Sequence, residues 1–222
     1  MSREYYEAYD DRYRQVHREN LRWFSDAPSP IVADVIRRFQ PDSPFLEIGC
    51  GEGRDAAYLL KQGYDVLATD ISPQAIACCR QDFPQWADRF QVLDCIGQRL
   101  DAKFDFIYAV AVVHMLVEDA HRDGFYAFLR EQLSDNGIAL VCSMGNGEME
   151  RQSDTSTAFD LQERTHEQTG RTVRIAGTSC RIVTFPTFRE EFIRNGLTIL
   201  EEGITAVEPD FPCMMYAVVK KA

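Results

Sequence analysis

No apolar run in this 222-residue chain approaches the length of a membrane span, which excludes a membrane-spanning helix. Basic residues are also scarce: 24 Lys and Arg stand against 35 Asp and Glu, a formal net charge of -11. Phosphate binding depends on clustered Lys and Arg that displace counterions, so no nucleic-acid partner is expected. The pairs Arg37, Arg38 and Lys220, Lys221 read as solvated ends of elements. No C-x-x-C pair occurs, and His17, His121 and His166 have no partner pattern that suggests metal ligation, so no metal is expected. The seven cysteines are odd in number and scattered through apolar segments (Cys95, Cys142) and a helical run (Cys78, Cys79), which fits reduced thiols in a cytosol. The first residues, MSREYYEAYDDRYRQ, contain no apolar signal core, and the expected location is the cytoplasm. There is no internal repeat.

What the chain does have is the stretch FLEIGCGEGRDAAYL, from Phe45 to Leu59: an apolar strand, an acid, a glycine-rich turn and a helix. Glycines at 49, 51 and 53 let the backbone bend sharply and approach a ligand. Glu47 lies at the carboxyl end of the strand, beside the next helix's free amide donors, where an acid suits a cationic partner. The dinucleotide fingerprint G-x-G-x-x-G, counted from Gly49, fails at its last position, which is Arg54. A second apolar strand, within YDVLATDISPQAI, ends at Asp70, about twenty residues on. A carboxylate there can accept from both ribose hydroxyls, which points to a nucleoside without choosing one.

Strand candidates at Phe45–Ile48, Asp65–Thr69, Gln91–Leu93, Phe104–Val110 and Ile138–Cys142 alternate with helix-period segments, a pattern that implies a parallel α/β sheet with helices on both faces. Before them, Ser2 to Phe39 is expected to be helical with a break near Asp26–Pro30, where Ser29 or Asp26 is placed to cap the second helix. After Cys142, the polar segment from 145 to 174 reads as an excursion from the core and a candidate lid. A strand around Arg181–Phe185, a helix over Thr187–Asn195 stopped by Gly196, and two final strand-like runs follow. The whole reads as one domain, 41–222, preceded by a helical lid over 1–40.

FLEIGCGEGRDAAYL, VLATDISPQAI, FQVLDC (Phe90–Cys95) and FDFIYAVAVVHML (Phe104–Leu116) occur in the order seen in class I S-adenosylmethionine-dependent methyltransferases, and the chain resembles that family from about Phe45 to Ala222. The run GEGRDAAYLLKQGYDVLATD further resembles the small-molecule, tellurite-resistance-like type. The resemblance implies a Rossmann-like, seven-stranded, mostly parallel sheet with a C-terminal antiparallel hairpin. It also implies S-adenosylmethionine as cofactor and S-adenosylhomocysteine as product. On the same basis the backbone of Gly49, Cys50 and Gly51 packs against the methionine part, Glu47 faces its ammonium group, Asp70 holds the ribose and Ile71 lies against adenine. Asp94 and the Cys95 backbone meet the adenine amino group, and Ala109 and Val110 offer main-chain carbonyls near the cofactor's amino group. Each acid also has a plainer reading, as a turn cap or loop brace. Arg54, a cation in a helix's first turn, needs an anion: the cofactor's carboxylate, or Asp55 or Glu52 in a surface salt bridge.

His114 is the best acid/base and acceptor-facing candidate, against the alternative of a packed core histidine. Tyr5, Tyr6, Tyr9 and Tyr13 recur at helix-compatible spacings; with Trp23 and Phe24 they either close over the sulfonium and bind the acceptor or dock the helix on the core. Tyr9, Tyr13 and Trp23 are the substrate-contact candidates. The leading expectation is therefore methyl transfer to an O, N or S atom of a small molecule. A cofactor-binding subunit without transferase activity, and a nicotinamide oxidoreductase, are the alternatives.

Overall fold

Residues 3–23, 26–166 and 168–222 are described by a computed structural model, and along them helices and strands alternate. A helical turn at Tyr5–Glu7 leads into α1 (Ala8–Arg18) and α2 (Pro30–Phe39). Next come β1 (Phe45–Ile48), α3 (Arg54–Lys61), β2 (Val66–Asp70), α4 (Pro73–Asp82), β3 (Phe90–Val92), β4 (Phe104–Val110), α5 (Asp119–Gln132) and β5 (Leu133–Met144). The short strands β6 (Arg151–Gln152), β7 (Leu161–Thr165), β8 (Thr172–Ala176) and β9 (Arg181–Ile182) follow. Then α6 (Phe185–Arg194), β10 (Leu197–Val207) and β11 (Phe211–Lys221) complete the chain.

Seven strands form one sheet in the order β10-β11-β5-β4-β1-β2-β3. β1 pairs in parallel with β2 and β4, β2 with β3, and β4 with β5. β11 runs antiparallel to both β5 and β10. This is the Rossmann-like, mostly parallel sheet with a terminal antiparallel hairpin that the sequence leads one to expect. Strand order reverses between β1 and β4, and open α/β sheets bind ligands outside the carboxyl ends of strands at such a point.

Successive side chains of a strand point to opposite faces, and both faces of the central strands are covered. Leu46 and Ile107 join Phe125, Phe128, Phe188 and Phe192 on one side. Phe45, Phe106 and Tyr108 join Ile31, Val35 and Leu140 on the other. Each such side chain contributes about 1.5–3 kcal/mol on burial, so the central strands are the rigid platform for whatever their loops carry. A smaller cluster packs α1 on β8 through Val16, Val173 and Ile175, with Leu21 and Trp23 against it.

Several boundaries differ from the sequence reading. β3 spans Phe90–Val92, so Leu93 and Asp94 lie in the following loop. The strand expected over Arg181–Phe185 is only Arg181–Ile182, paired with β6 outside the main sheet. Thr184 instead caps α6, whose first residues are Phe185 and Pro186, a proline position compatible with a helix start. The excursion from 145 to 174 is not structureless: β7 pairs antiparallel with β8. Every residue of β7 is exposed, so it shows no apolar alternation for a pattern reading to detect. Ser29 occupies the cap position of α2, but its hydroxyl donates to Asp55 and makes no capping bond. Ser2 and Phe24 lie outside the described residues.

Candidate active site

The turn after β1 is held by its own backbone. The Cys50 N–H donates to Thr69 O at 2.9 Å, and the Gly53 N–H donates to Cys50 O at 2.9 Å. Gly49 has φ +70, and a Cβ built on it would lie 2.3 Å from Val112 Cγ2. No L side chain fits there without moving the loop after β4, so glycine at 49 is what lets the β1 and β4 loops touch.

Asp70 ends β2 beside this turn. Its Oδ2 accepts from the Gly51 N–H and its Oδ1 from the Ser72 N–H, each at 2.8 Å. Each oxygen accepts one backbone bond and retains acceptor capacity. Burial pushes its carboxyl up to about 6, against the lowering effect of the two N–H donors. The carboxyl of Glu47, a residue 4% exposed, has one hydrogen bond among the described residues, from the Tyr108 hydroxyl at 3.2 Å. Burial, and then the charge of Asp55, pushes the Glu47 carboxyl well above the usual range. A buried carboxyl so thinly partnered is stabilised as an anion by any cation that enters.

Across the mouth lies α1, pinned at several points. Asp10 accepts from Ser72 Oγ at 2.6 Å and from the Gln74 N–H at 3.1 Å. Glu52 of the glycine turn is 2.8 Å from His17 Nε2 and accepts from the Trp23 N–H at 3.0 Å. The Tyr9 hydroxyl donates to Ser179 O at 2.9 Å. Tyr5 is a docking residue: its hydroxyl accepts from the Val117 and Glu118 N–H groups.

Glu47, Gly49, Cys50, Gly51, Arg54, Asp70, Ile71, Asp94 and Cys95 all line one cleft, with Tyr9 and Tyr13 from α1 above them. Asp94 caps its own loop by accepting from the Ile96 N–H at 2.9 Å. Ala109 does not line the cleft; it is locked in the ladder opposite Val141, and Val110, Ala111 and Val112 face the cleft instead. Arg54 pairs with Asp210 at 2.9 Å, a partner from the β10–β11 turn that sequence reasoning did not name. Its contact with Asp55 is longer, 3.7 Å, and the arginine side chain is only 13% exposed, so the pair is not a surface one.

Trp23 and His114 lie elsewhere, on a second cavity of about 560 Å³. The two cavities share Tyr9, Met115 and Phe211. His114 is 3% exposed, and its Nδ1 has no hydrogen-bond partner among the described residues. Burial, reinforced by Arg122 and Arg12, pushes its imidazole down to about 3, so it is neutral at physiological pH. Tyr6, which the sequence groups with Tyr9 and Tyr13, also lines the first cleft, as do Glu52, Val112 and Phe211, which escaped sequence reasoning as site residues. Tyr6 shares a helix-compatible spacing with Tyr9 and Tyr13, and Glu52 sits between two turn glycines; for Phe211, far along the chain, no local signal exists.

Residues 46–139 match the methyltransferase-domain family model. The match covers 94 of the 222 residues, less than half of the chain. The matched stretch runs from Leu46 in β1 to Ala139 in β5, most of the parallel part of the sheet, and includes the turns after β1 to β4 that line the first cleft. The chain is 39% identical to hemagglutinin 1 of Eikenella corrodens over 103 residues, 44% of this chain and 33% of that protein. It is 34% identical to ribosomal RNA small subunit methyltransferase A of Porphyromonas gingivalis over 58 residues, 26% of this chain and 22% of that one. The chain thus spans a third or less of these curated relatives. Among solved structures, the Burkholderia thailandensis 1,6-didemethyltoxoflavin-N1-methyltransferase, with 1,6-didemethyltoxoflavin and S-adenosylhomocysteine bound, superposes with TM-score 0.71 at 18% identity, covering 100% of this chain and 92% of that one. The glycopeptide N-methyltransferase MtfA with S-adenosylmethionine gives TM-score 0.65 at 22% identity, covering 90% and 96%. At these identities the likeness is one of fold, and it extends beyond the matched stretch to nearly the whole chain.

Proposed function

We propose that this chain transfers a methyl group from S-adenosylmethionine to an O, N or S atom of a small molecule. One observation carries the reading: at the sheet's switch point, a thinly partnered buried Glu47 and an Asp70 with acceptor capacity on both oxygens face one cleft. These groups fit a ligand with an ammonium at one end and vicinal hydroxyls further along. On this reading Glu47 meets the ammonium, Asp70 the ribose hydroxyls, and Ile71, Asp94 and Cys95 the adenine. The Gly49–Gly51 backbone packs on the methionine part, and Arg54 lies on the same wall.

The cofactor supplies an activated methyl: its S–C bond breaks with the electron pair leaving on sulfur, as the acceptor's lone pair bonds to carbon. The protein's share is placement and exclusion of water. Tyr9, Met115 and Phe211 separate the cleft from the second cavity, which we assign to the acceptor. His114, neutral there, is in the right state to take a hydrogen bond from an acceptor O–H or N–H. For a hydroxyl acceptor, His114→Phe is expected to lower kcat by about 10²-fold with cofactor KM unchanged, read in steady-state assays; an unchanged kcat removes the assignment.

As closed by α1, the cleft holds about 100 Å³, against roughly 300–1,000 Å³ for small-molecule sites. Entry of a nucleoside therefore requires the tyrosines of α1 to move, which supports a lid role for α1 alone, since α2 packs Ile31 and Val35 into the core. Hydrogen exchange in that segment should slow when S-adenosylhomocysteine binds.

The pH dependence follows from the acids. Asp70 must be ionised to accept from two hydroxyls, and its carboxyl in the free protein sits at about 6. Above that pH affinity should be flat; below it, affinity should fall up to tenfold per unit as the proton competes. Asp70, at about 6, is still partly protonated near neutrality, and it and Glu47, whose carboxyl burial raises, must both be ionised to meet the ligand, so binding near neutrality should release protons. Calorimetry in two buffers of different ionisation enthalpy reads that release directly.

The small-molecule reading is supported by the second cavity of about 560 Å³ and the net charge of -11. Among the described residues no helix is long and apolar enough to cross a membrane, and we take the protein to act in the cytoplasm. The reaction is tested by single turnover with methyl-labelled cofactor and a metabolite extract. Labelled product and S-adenosylhomocysteine should appear in equal amounts; cofactor binding without either product would leave a binding subunit.

A further inference from the structure

In a chain with eleven more acids than bases, the second cavity is cationic. Arg12, Arg151 and Arg164 line it, and none of the three has a carboxylate within salt-bridge distance among the described residues. The acid on that wall, Asp210, is paired at 2.9 Å with Arg54.

Arg12 is the most constrained of the three. Its Nε and Nη2 donate to Ala176 O at 3.4 and 3.2 Å, and Nη2 also donates to Gly177 O at 2.9 Å and Thr178 Oγ1 at 2.5 Å. Its guanidinium lies over the rings of Tyr9 and Trp23, 5.2 and 4.9 Å from their centroids. Nη1 has no hydrogen-bond partner among the described residues. Burial pushes the guanidinium pKa down, with no carboxylate nearby to offset it. A desolvated arginine held in one orientation with a free amino group, and no counter-ion, is arranged to receive an anion from outside.

The wall shared with the first cleft is different in character: Tyr9, Met115 and Phe211. We infer that the methyl acceptor carries an oxyanion, held by Arg12 with Arg151 and Arg164, while its apolar body lies against Tyr9 and Phe211 and presents the reacting atom to the first cleft. This rests on the reading of the first cleft as the cofactor site and adds the substrate class. A carboxylate and a phosphate monoester share the required chemistry; the planar carboxylate and the tetrahedral phosphate are separated in the test.

The experiment uses the full chain saturated with S-adenosylhomocysteine, whose binding is first measured by calorimetry. Benzoate, its neutral counterpart benzamide, phenyl phosphate and a short single-stranded RNA are then titrated by ligand-observed NMR. The expected result is binding of benzoate or phenyl phosphate, whichever geometry fits, at least tenfold tighter than benzamide. In the double variant Arg151→Gln/Arg164→Gln that preference should fall at least threefold, and in Arg12→Gln tenfold or more, with S-adenosylhomocysteine affinity within twofold of the parent. The double variant removes side chains with no ion pair in the fold, so it remains informative if Arg12→Gln does not fold. Equal binding of benzoate, phenyl phosphate and benzamide, or a preference unmoved in the double variant, overturns the inference and leaves the cofactor reading intact. RNA binding tighter than either small anion overturns it in favour of a nucleic-acid acceptor. Failure of S-adenosylhomocysteine to bind at the outset removes the cofactor reading itself.

Discussion

Asp70→Asn is expected to weaken S-adenosylhomocysteine binding about a hundredfold, close to 2.7 kcal/mol. The carboxylate's two remaining acceptor sites each stand to receive a charge-assisted bond from a ribose hydroxyl, worth about 1.5–3 kcal/mol apiece. Asparagine keeps an acceptor for the Ser72 N–H but turns an amide donor toward the Gly51 N–H, so the turn is disturbed as well. A merely structural role for Asp70 would give some loss of affinity too, and the pH profile separates the two cases. In the parent protein affinity should fall below a pH of about 6, the position of the Asp70 carboxyl; in the variant that inflection should be gone. If the variant binds as tightly as the parent, Asp70 is not a ligand for the ribose. The same acid has a cost for the fold. Its carboxyl is raised above its unfolded value, so the native state holds that proton more tightly, and the penalty develops as pH rises from about 4 to about 6 and persists above.

Arg122→Met is expected to destabilise the protein by about 3–5 kcal/mol, a fall in Tm of roughly 6–20 °C. Arg122 and Glu191 are fully buried and form a two-bond pair between α5 and α6, Nε to Oε1 and Nη2 to Oε2, both at 2.6 Å. Tyr126 donates to Glu191 Oε2 at 2.8 Å. Removing the arginine leaves an unpaired carboxylate where water does not reach. Arg122 Nη1 also donates to Val113 O at 2.7 Å and Leu116 O at 3.1 Å. The pair thereby fixes the turn that carries His114 and Met115 between the two cavities, making Arg122 a positioning residue. Removing the charges together, with Arg122→Met, Glu191→Leu and Tyr126→Phe, should recover much of the stability, because no charge is left buried without a partner and only the Leu116 carbonyl loses its donor. Thermal melts of the single and triple variants decide it: equal losses would mean that packing, not the buried charge, carries the effect.

The parts of the fold legible in the sequence are those written as uninterrupted apolar runs. β1, β2 and β4 are central and covered on both faces, and their boundaries lie within a residue or so of those read from pattern. β6 and β7 were hidden for the opposite reason: a two-residue bridge or a fully exposed strand has no apolar face to leave a period. At the site, Glu47, Asp70 and Asp94 could be singled out because each lies at or just past the carboxyl end of a strand, where chain direction alone takes it to the sheet's carboxyl edge. Phe211 and Asp210 reach the same place only because β10 and β11 fold back beside β5, a long-range pairing that local pattern does not encode. Tyr9 and Tyr13 show why docking and lining are not exclusive: both are buried side chains of a helix packed on the domain, and both face the cleft. The cationic character of the second cavity was illegible for a related reason. Arg12, Arg151 and Arg164 are far apart in a chain whose overall charge has the other sign.

Isothermal titration of the full chain with S-adenosylmethionine, S-adenosylhomocysteine and NADH in parallel tests the central claim most directly. Selective binding of the first two, with protons released at neutral pH, is the predicted result; binding of NADH alone, or of none of the three, contradicts it.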